Sequence, residues 1–462
     1  MPAVYIAELT IPPRARRGAD SVLDMSDRSD ANGGHGVVLP NETVITWQAP
    51  PLKFGIGATA EVGYELRRLG VSKVLVVTDR HLAALGLPAR VSRIIESEGI
   101  ETDLCDLAHV EPTDVSVREA LRALEGQEYD GYVAVGGGSA IDTAKAIDLF
   151  KTYPADLMHY LNRPIGRGAP VPGPLRPLVA VPTTAGTGAE CTPVCVVDIL
   201  SLRVKSGISH AHLRPHLAVV DPLNTLTMPA AVTAASGYDV LCHALESYTA
   251  VPYDRRPRWP SPADRPAYIG ANPISDVWCE QALSLVGRHL RRAVLNPHDL
   301  EARIGMSSAA TFAGMGFGNA GVHIPHAVAY PIAGLVTEYR PSGYAVEEAM
   351  VPHGQSVVLA APAAFAFTYP TAPERHLRAA ELLGADLRGI TPASGRDVLP
   401  AAVRAIVEDT GGPRGLADVG YGEADIPALV EGTMKQTRLL ACCPRPVGPP
   451  ELAAILQASL HR

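Results

Sequence analysis

Short apolar runs alternate with helix-like segments through the first half of this chain. Four of these runs are rich in β-branched residues: 73–79, 132–139, 177–184 and 217–221. Strands that are separated by helices form right-handed βαβ units, so this order predicts a parallel sheet. From about residue 229, long Ala- and Leu-rich periodic segments continue to the C-terminus. We therefore predict an α/β domain over residues 41–228 and an all-α domain over residues 229–462.

The length agrees with this division. A chain of 462 residues exceeds what one hydrophobic core usually fills, so two domains are the default expectation. The first 40 residues are polar and Gly-rich without periodicity, which predicts a flexible N-terminal lead-in at residues 1–40.

Composition excludes several classes of partner. The net charge of −8 at pH 7 argues against nucleic acid or an anionic membrane as the main partner. No apolar run approaches the roughly 20 residues that a membrane-spanning helix needs. The N-terminus lacks the apolar core of a signal peptide, and the seven cysteines include no CxxC pair, which is typical of a reducing compartment. We therefore expect a cytoplasmic protein.

Four residues in the second half have the composition of a metal site. Asp239 and His243 lie four residues apart in an apolar periodic run, so on a helix they project from one face. His326 and His353 each lie inside a mostly apolar stretch. One carboxylate and three imidazoles suit a divalent ion such as Fe(II) or Zn(II) and leave room for a substrate oxygen. A histidine in an apolar run is more often a satisfied core residue, so spacing alone leaves that alternative open.

Two loops follow predicted strands and are rich in hydrogen-bond donors. Residues 136–139, with the sequence GGGS, close one strand and open a helix whose N-terminus can bind a phosphate. Residues 182–190, PTTAGTGAE, follow the next strand. Both loops lie at the carboxyl ends of parallel strands, where a dinucleotide binds. The GGGS segment is not a GxGxxG fingerprint, and a plain tight turn is its alternative.

Asp79 ends the strand at residues 73–79. A carboxylate at this place can hold the two ribose hydroxyls of NAD while repelling the extra phosphate of NADP. It can equally cap the helix that follows, and the two roles are compatible.

These features occur together in motifs that resemble the iron-containing (group III) alcohol dehydrogenase family. The motifs stand in the family's order and spacing: VGGGSAIDTAKA, VPTTAGTGAE, GYDVLCHALESY, AGMGFGNAGVHIPHAVAYP and VPHG. The resemblance covers about residues 41 to 460. It implies a dehydroquinate-synthase-like fold, with an active site in the cleft between a nucleotide-binding domain and a helical domain.

The resemblance also implies roles for individual residues. The family's metal ligands match Asp239, His243, His326 and His353. Its pyrophosphate loop matches Gly137, Gly138, Ser139 and Asp142. Positions near the nicotinamide and its ribose match Thr183, Thr187 and Lys205, and the residue that favours NAD matches Asp79. The implied cofactors are NAD and a divalent metal, Fe(II) in preference to Zn(II).

A narrower resemblance is to the hydroxyacid-oxoacid transhydrogenase branch. It rests on PLKFGIGATAEVG, RPAYIGANPISDVW, FGNAGVHIPHAVAYPIAGLV and GEADIPALVEGT. This branch passes a hydride from 4-hydroxybutyrate to 2-oxoglutarate, giving succinate semialdehyde and 2-hydroxyglutarate with NAD retained. A simple NAD-dependent alcohol dehydrogenase is the alternative. A lyase of the dehydroquinate synthase type is disfavoured, because no cluster of basic residues accompanies the ligands.

Three further residues carry expectations. Many family members have a histidine four residues after the third ligand, where this chain has Tyr330, so Tyr330 either relays a proton or packs against the nicotinamide. His323 is expected to support the site or lie at the surface rather than act as a ligand. A carboxylate-bearing substrate needs a cation in its pocket, and Arg265 is the candidate. We also expect a homo-oligomer, a dimer or larger, that acts on a small molecule.

Overall fold

The first half of the chain is built on a parallel sheet. The computed structural model describes residues 41–344, 346 and 348–461, so the predicted lead-in lies outside the described residues. Its strands are β1 (Leu52–Phe54), β2 (Lys73–Val77), β3 (Glu101–Cys105), β4 (Gly131–Gly136), β5 (Leu178–Pro182), β6 (Val194–Ile199), β7 (Val204–Ser209) and β8 (Leu217–Val220). Six of them form one sheet in the order β1-β8-β5-β4-β2-β3, and every neighbouring pair is parallel.

The central strands β2, β4, β5 and β8 are buried along almost their whole length. Parallel strands of this kind are covered on both faces by helices, which explains their continuous Val and Ala content. The helices of this half are α1 (Val62–Arg68), α2 (Arg80–Ala84), α3 (Leu87–Glu96), α4 (Asp114–Ala123), α5 (Gly138–Thr152) and α6 (Leu157–Tyr160). The four predicted strand segments coincide with these four central strands.

Strands β6 and β7 form a separate antiparallel hairpin, which the sequence analysis did not predict. It follows the second donor-rich loop and carries Lys205 on β7. The apolar run of β6 was not singled out, and β7, with Lys205, Ser206 and Ser209, lacks the continuous apolar run that marks the central strands. Their pairing depends on a turn at Arg203, which has a positive φ of 48°.

From Ala230 the chain is helical. The helices are α7 (Ala230–Thr249), α8 (Pro273–Leu295), α9 (Leu300–Ala320), α10 (Ile324–Leu335), α11 (His353–Thr368), α12 (Pro373–Leu382), α13 (Val398–Asp409), α14 (Ile426–Met434), α15 (Thr437–Leu440) and α16 (Pro449–Gln457). The predicted domain boundary at residue 229 stays a prediction, and it falls between the last strand, β8, and α7. Within the described part of the chain, no helix is long and apolar enough to cross a membrane.

Helix α7 forms the centre of the helical half. Every residue from Gly237 to Thr249 is buried, because α8, α9 and α11 pack around this helix. A helix that is enclosed in this way needs small or apolar residues on all sides. Gly237 meets this need most directly, because a Cβ atom built there would lie 2.1 Å from Cδ1 of Leu290 on α8.

We predict that Gly237→Ala lowers the free energy of unfolding by about 1–3 kcal/mol, because overpacking pushes α8 away from α7. Leu290→Ala alone should cost about 2–5 kcal/mol through the cavity that it leaves. The double variant should lose less than the sum, since the new methyl group fills part of that cavity. Denaturant unfolding of all four proteins measures this, and strictly additive losses would refute the close contact.

Candidate active site

Asp239 lies at the centre of a cluster of three imidazoles. Its Oδ1 atom is 3.3 Å from Nε2 of His326, 3.5 Å from Nε2 of His243 and 3.7 Å from Nε2 of His353. Helix α7 supplies Asp239 and His243 from one face, His326 lies in the first turn of α10, and His353 begins α11. Three helices therefore place the four predicted ligands around one point.

The cluster has the properties of a metal site. Oδ1 of Asp239 and Nε2 of His326 are buried and have no hydrogen-bond partner. Buried polar atoms are rarely left in this state, so each such atom needs an explanation. Ligand atoms of Asp239, His326 and His353 lie within 4.8 Å of one another. Burial alone would raise the pKa of the Asp239 carboxyl, but the imidazoles of His243 and His353 hold it below its usual value. An ionised carboxylate with three imidazoles fits a divalent ion.

Glu246 orients one of these imidazoles, and the sequence analysis did not identify it. Its Oε1 atom lies 2.5 Å from Nδ1 of His326, and its Oε2 accepts a hydrogen bond of 2.6 Å from the backbone N–H of His323. A bond from Nδ1–H to this carboxylate leaves Nε2 of His326 free to bind a metal. The available signal was spacing, because Glu246 lies three residues after His243 and seven after Asp239 on the same helix face.

His323 is not part of the cluster. Its ring is fully buried, and its Nε2 lies 3.2 Å from Oγ1 of Thr249. Burial lowers the pKa of His323 to about 4, so the ring is neutral near pH 7. The backbone N–H of His323 donates to Glu246, which in turn contacts the ligand candidate His326, so His323 supports the cluster indirectly.

The two donor-rich loops touch each other at the carboxyl edge of the sheet. A Cβ atom at Gly138 would lie 2.6 Å from Cγ2 of Thr187, and one at Gly137 would lie 3.1 Å from Cγ2 of Thr184. Glycine is therefore needed for the loops to approach this closely. Oγ of Ser139 accepts a hydrogen bond of 3.1 Å from the backbone N–H of Glu111.

Asp142 and Thr183 are already bonded within the protein. Oδ2 of Asp142 accepts a hydrogen bond of 2.9 Å from the backbone N–H of Val196 on the hairpin, and Nζ of Lys145 lies 3.5 Å from Oδ1. The backbone N–H of Thr183 donates to the carbonyl of Gly136 at 3.0 Å. These contacts join the loops and the hairpin. Contact of either residue with a cofactor stays a prediction.

Asp79 caps the N-terminus of helix α2, which was one of the two roles expected for it. Its Oδ1 accepts a hydrogen bond of 2.8 Å from the backbone N–H of Leu82. The other carboxylate oxygen, Oδ2, is not used by this cap, and contact with a ribose stays a prediction.

Lys205 is almost fully buried between two carboxylates. It forms an ion pair with Glu111, and its Nζ lies 3.4 Å from Oδ2 of Asp198. Burial alone would lower the pKa of Lys205, but Asp198 and Glu111 together raise it above its usual value. The lysine is therefore charged and already paired. The backbone of Glu111 has a φ of 58°, a conformation that residues other than glycine rarely adopt.

One cavity of about 110 Å³ extends from the four residues Asp239, His243, His326 and His353, here called the metal-type cluster, to the Gly-rich loop at residues 136–139. Its lining includes all four residues of the cluster and also Gly138, Ser139, Asp142, Thr187, Lys205, Tyr330 and Arg438. Burial raises the pKa of Tyr330 to about 12, so its hydroxyl is protonated near neutral pH.

The expectation for Arg265 was wrong. Arg265 is not among the residues that line this cavity. Its Nε instead donates a 2.9 Å hydrogen bond to Oε2 of Glu42. The arginine that lines the cavity is Arg438. It lies far in sequence from the stretch RPAYIGANPISDVW, which had suggested Arg265, so the sequence analysis did not identify it.

Comparisons with known proteins agree with this geometry. The model of iron-containing alcohol dehydrogenases matches residues 50–222, and that of the C-terminal part of the same family matches residues 267–460. The chain belongs to the iron-containing alcohol dehydrogenase family. It is accordingly an oxidoreductase of CH–OH groups, and both the predicted family and the predicted fold class are confirmed.

Individual relatives are similar over most of their length. The mitochondrial hydroxyacid-oxoacid transhydrogenase of Bos taurus is 48% identical over 411 residues, which are 88% of each chain. A crystal structure of 1,3-propanediol oxidoreductase is 31% identical with a TM-score of 0.79, covering 90% of this chain and 100% of that one. The sulfoacetaldehyde reductase of Bifidobacterium kashiwanohense in complex with NAD+ is 25% identical with a TM-score of 0.74, covering 90% and 99%.

We predict that Glu246→Gln weakens metal binding by about 10–100-fold, because the amide orients His326 less firmly than the carboxylate does. Competition with a chelator, read by elemental analysis, measures the affinity. Glu280→Gln is the matched control, since Glu280 bonds Tyr248 and Arg378 away from the cluster. Wild-type affinity in Glu246→Gln would show that the contact with His326 has no such role.

Proposed function

We propose that this protein is a hydroxyacid-oxoacid transhydrogenase. In the proposed reaction, 4-hydroxybutyrate and 2-oxoglutarate give succinate semialdehyde and 2-hydroxyglutarate, with one hydride passing from the first acid to the second through NAD. The observation that carries the proposal is the single cavity that joins the Asp239 cluster to the Gly-rich loop. The similarity to the bovine transhydrogenase supports the choice of substrates.

The chain offers a distinct set of residues to each cofactor. Asp239, His243, His326 and His353 would hold the divalent ion, with Fe(II) preferred. Gly137, Gly138 and Ser139 at the start of α5 would hold the NAD pyrophosphate, since a helix N-terminus presents free N–H groups to an anion. Thr183, Thr187, Lys205, Asp142 and Asp79 complete the proposed cofactor contacts. When bound, the metal supplies Lewis acidity toward a hydroxyl or carbonyl group, and NAD supplies the hydride carrier.

The remaining chemistry falls to side chains of the cavity. Glu246 keeps the His326 ring in one orientation through the 2.5 Å contact to Nδ1. Tyr330 lines the cavity and its hydroxyl is protonated, so we assign its Oη–H the role of donating a hydrogen bond to a substrate oxygen or passing on a proton. Apolar side chains such as Val196, Phe317 and Val322 exclude water from the same space.

We predict that desalted protein without free NAD makes 2-hydroxyglutarate from the two acids. With 4-hydroxybutyrate deuterated at carbon 4, deuterium should appear at carbon 2 of the product, because the hydride stays on one bound cofactor. Mass spectrometry of the products measures this transfer. Product that forms only with free NAD, in proportion to released NADH, would indicate the alternative, a simple NAD-dependent alcohol dehydrogenase.

Asp79 gives a prediction about cofactor choice. An additional phosphate near its carboxylate would meet a like charge at a cost of about 1–4 kcal/mol, so the protein should prefer NAD to NADP. Asp79→Ser keeps an oxygen for the helix cap and removes the charge, and it should shift the ratio of kcat/KM values toward NADP on the order of 10-fold. Asp156→Ser is the matched control, because the Asp156 side chain also caps a helix, α6, by accepting from the backbone N–H of Met158. Equal use of both cofactors by the wild-type protein would contradict the assignment.

We further propose a cytoplasmic homo-oligomer, a dimer or larger. All seven cysteines are free and six of them are buried, which suits a reducing compartment. The name of the bovine relative assigns that protein to mitochondria. Cell fractionation tests the location, and light scattering of the purified protein tests the assembly.

A further inference from the structure

Among the described residues, each charged group that lines the active-site cavity faces a group of opposite charge, with one exception. Lys205 is bonded to Glu111 and faces Asp198. Asp142 faces Lys145, and Asp239 faces the three imidazoles. Arg438 is the charged lining residue that is left over from these pairs.

The guanidinium of Arg438 is buried without full compensation. Its Nη1 is the one arginine nitrogen among the described residues that is buried and has no hydrogen-bond partner. Its Cζ lies 4.6 Å from the ring centroid of Tyr268, so the group stacks on an aromatic face. Tyr268 also hydrogen-bonds the guanidinium but brings no negative charge. An arginine stays charged in proteins, and a buried cation without an anionic partner is costly. The cost is explained if an anionic ligand completes the site.

The segment that carries Arg438 is fixed in place. Nε2 of Gln436, just before α15, donates a 3.4 Å hydrogen bond to the carbonyl of Lys205. The backbone N–H of Val251 donates to the carbonyl of Cys442 at 2.9 Å. Leu439 and Cys442 also pack in one buried apolar cluster with Tyr330. The segment that carries Arg438 is therefore anchored beside the cavity that the metal-type cluster also lines.

We propose that Arg438 binds the carboxylate of the substrate acid and selects hydroxy and oxo acids over uncharged alcohols. The planar guanidinium fork matches a carboxylate, and a substrate bound there extends toward the metal-type cluster on the same cavity. This inference rests on the proposed function, because it names the group that recognises both of its substrates.

The test compares 4-hydroxybutyrate with its uncharged amide, 4-hydroxybutyramide, using metal-loaded holoenzyme. In Arg438→Gln, kcat/KM for the acid should fall on the order of 100-fold, because a desolvated carboxylate loses its charged partner. The value for the amide should change less than threefold. Arg438→Lys keeps the charge and should recover part of the loss. Arg265→Gln, in the pair with Glu42, is the matched control and should keep the selectivity of the wild type.

Binding provides a second measurement that does not need turnover. Glutarate lacks a reactive hydroxyl or carbonyl, and calorimetry should show that Arg438→Gln binds it much more weakly than the wild type does. An equal fall for acid and amide, or unchanged glutarate binding in a folded variant, would overturn the role of Arg438 while leaving the transhydrogenase intact. A wild-type protein that oxidises only uncharged alcohols would instead overturn the proposed function and this inference together.

Discussion

The carboxylate of Asp239 lies inside the most buried helix of the fold, and much of the active site is arranged around its charge. Three imidazoles from α7, α10 and α11 face the carboxylate, so the positions of these helices are linked through one cluster. Glu246 adds a second buried carboxylate about two turns further along α7 and bonds both the ring and the backbone of the His326 region. A network in which each member is satisfied is rigid, and a metal bound here would complete it.

In the α/β half, the buried Lys145 links several segments of the chain, as Asp239 does in the helical half. Lys145 on α5 donates to the carbonyls of Ala189 at 2.8 Å and Val194 at 2.7 Å, and it also faces Asp142. These bonds tie the helix that opens at the Gly-rich loop to the second loop and to the hairpin. Burial lowers the pKa of Lys145 in spite of Asp142, and the bonds from its Nζ to backbone carbonyls give it a structural role. The cofactor side of the cavity is thus held by internal bonds.

The substrate side of the cavity is shaped by segments far apart in the chain. Glu111 follows β3, Lys205 belongs to the hairpin, Tyr330 lies on α10 and Arg438 on α15. Glu111 neutralises Lys205, so Arg438 is left as the group for an acid. The high pKa of Tyr330 makes it a donor of a neutral O–H group.

The sequence by itself determined the class of fold, and it predicted most of the residues that line the cavity. β-branched runs mark the buried parallel strands, helical spacing places Asp239 and His243 on one face, and the ordered motifs identify the family. Other features depend on contacts between segments that are distant in sequence. The role of Glu246 depends on its contact with His326, which is 80 residues away in sequence. The position of Asp142 likewise depends on its hydrogen bond from Val196 in the hairpin. Arg265 and Arg438 cannot be told apart by spacing, because only the packed structure decides which guanidinium finds a carboxylate and which one is left unpaired in the cavity.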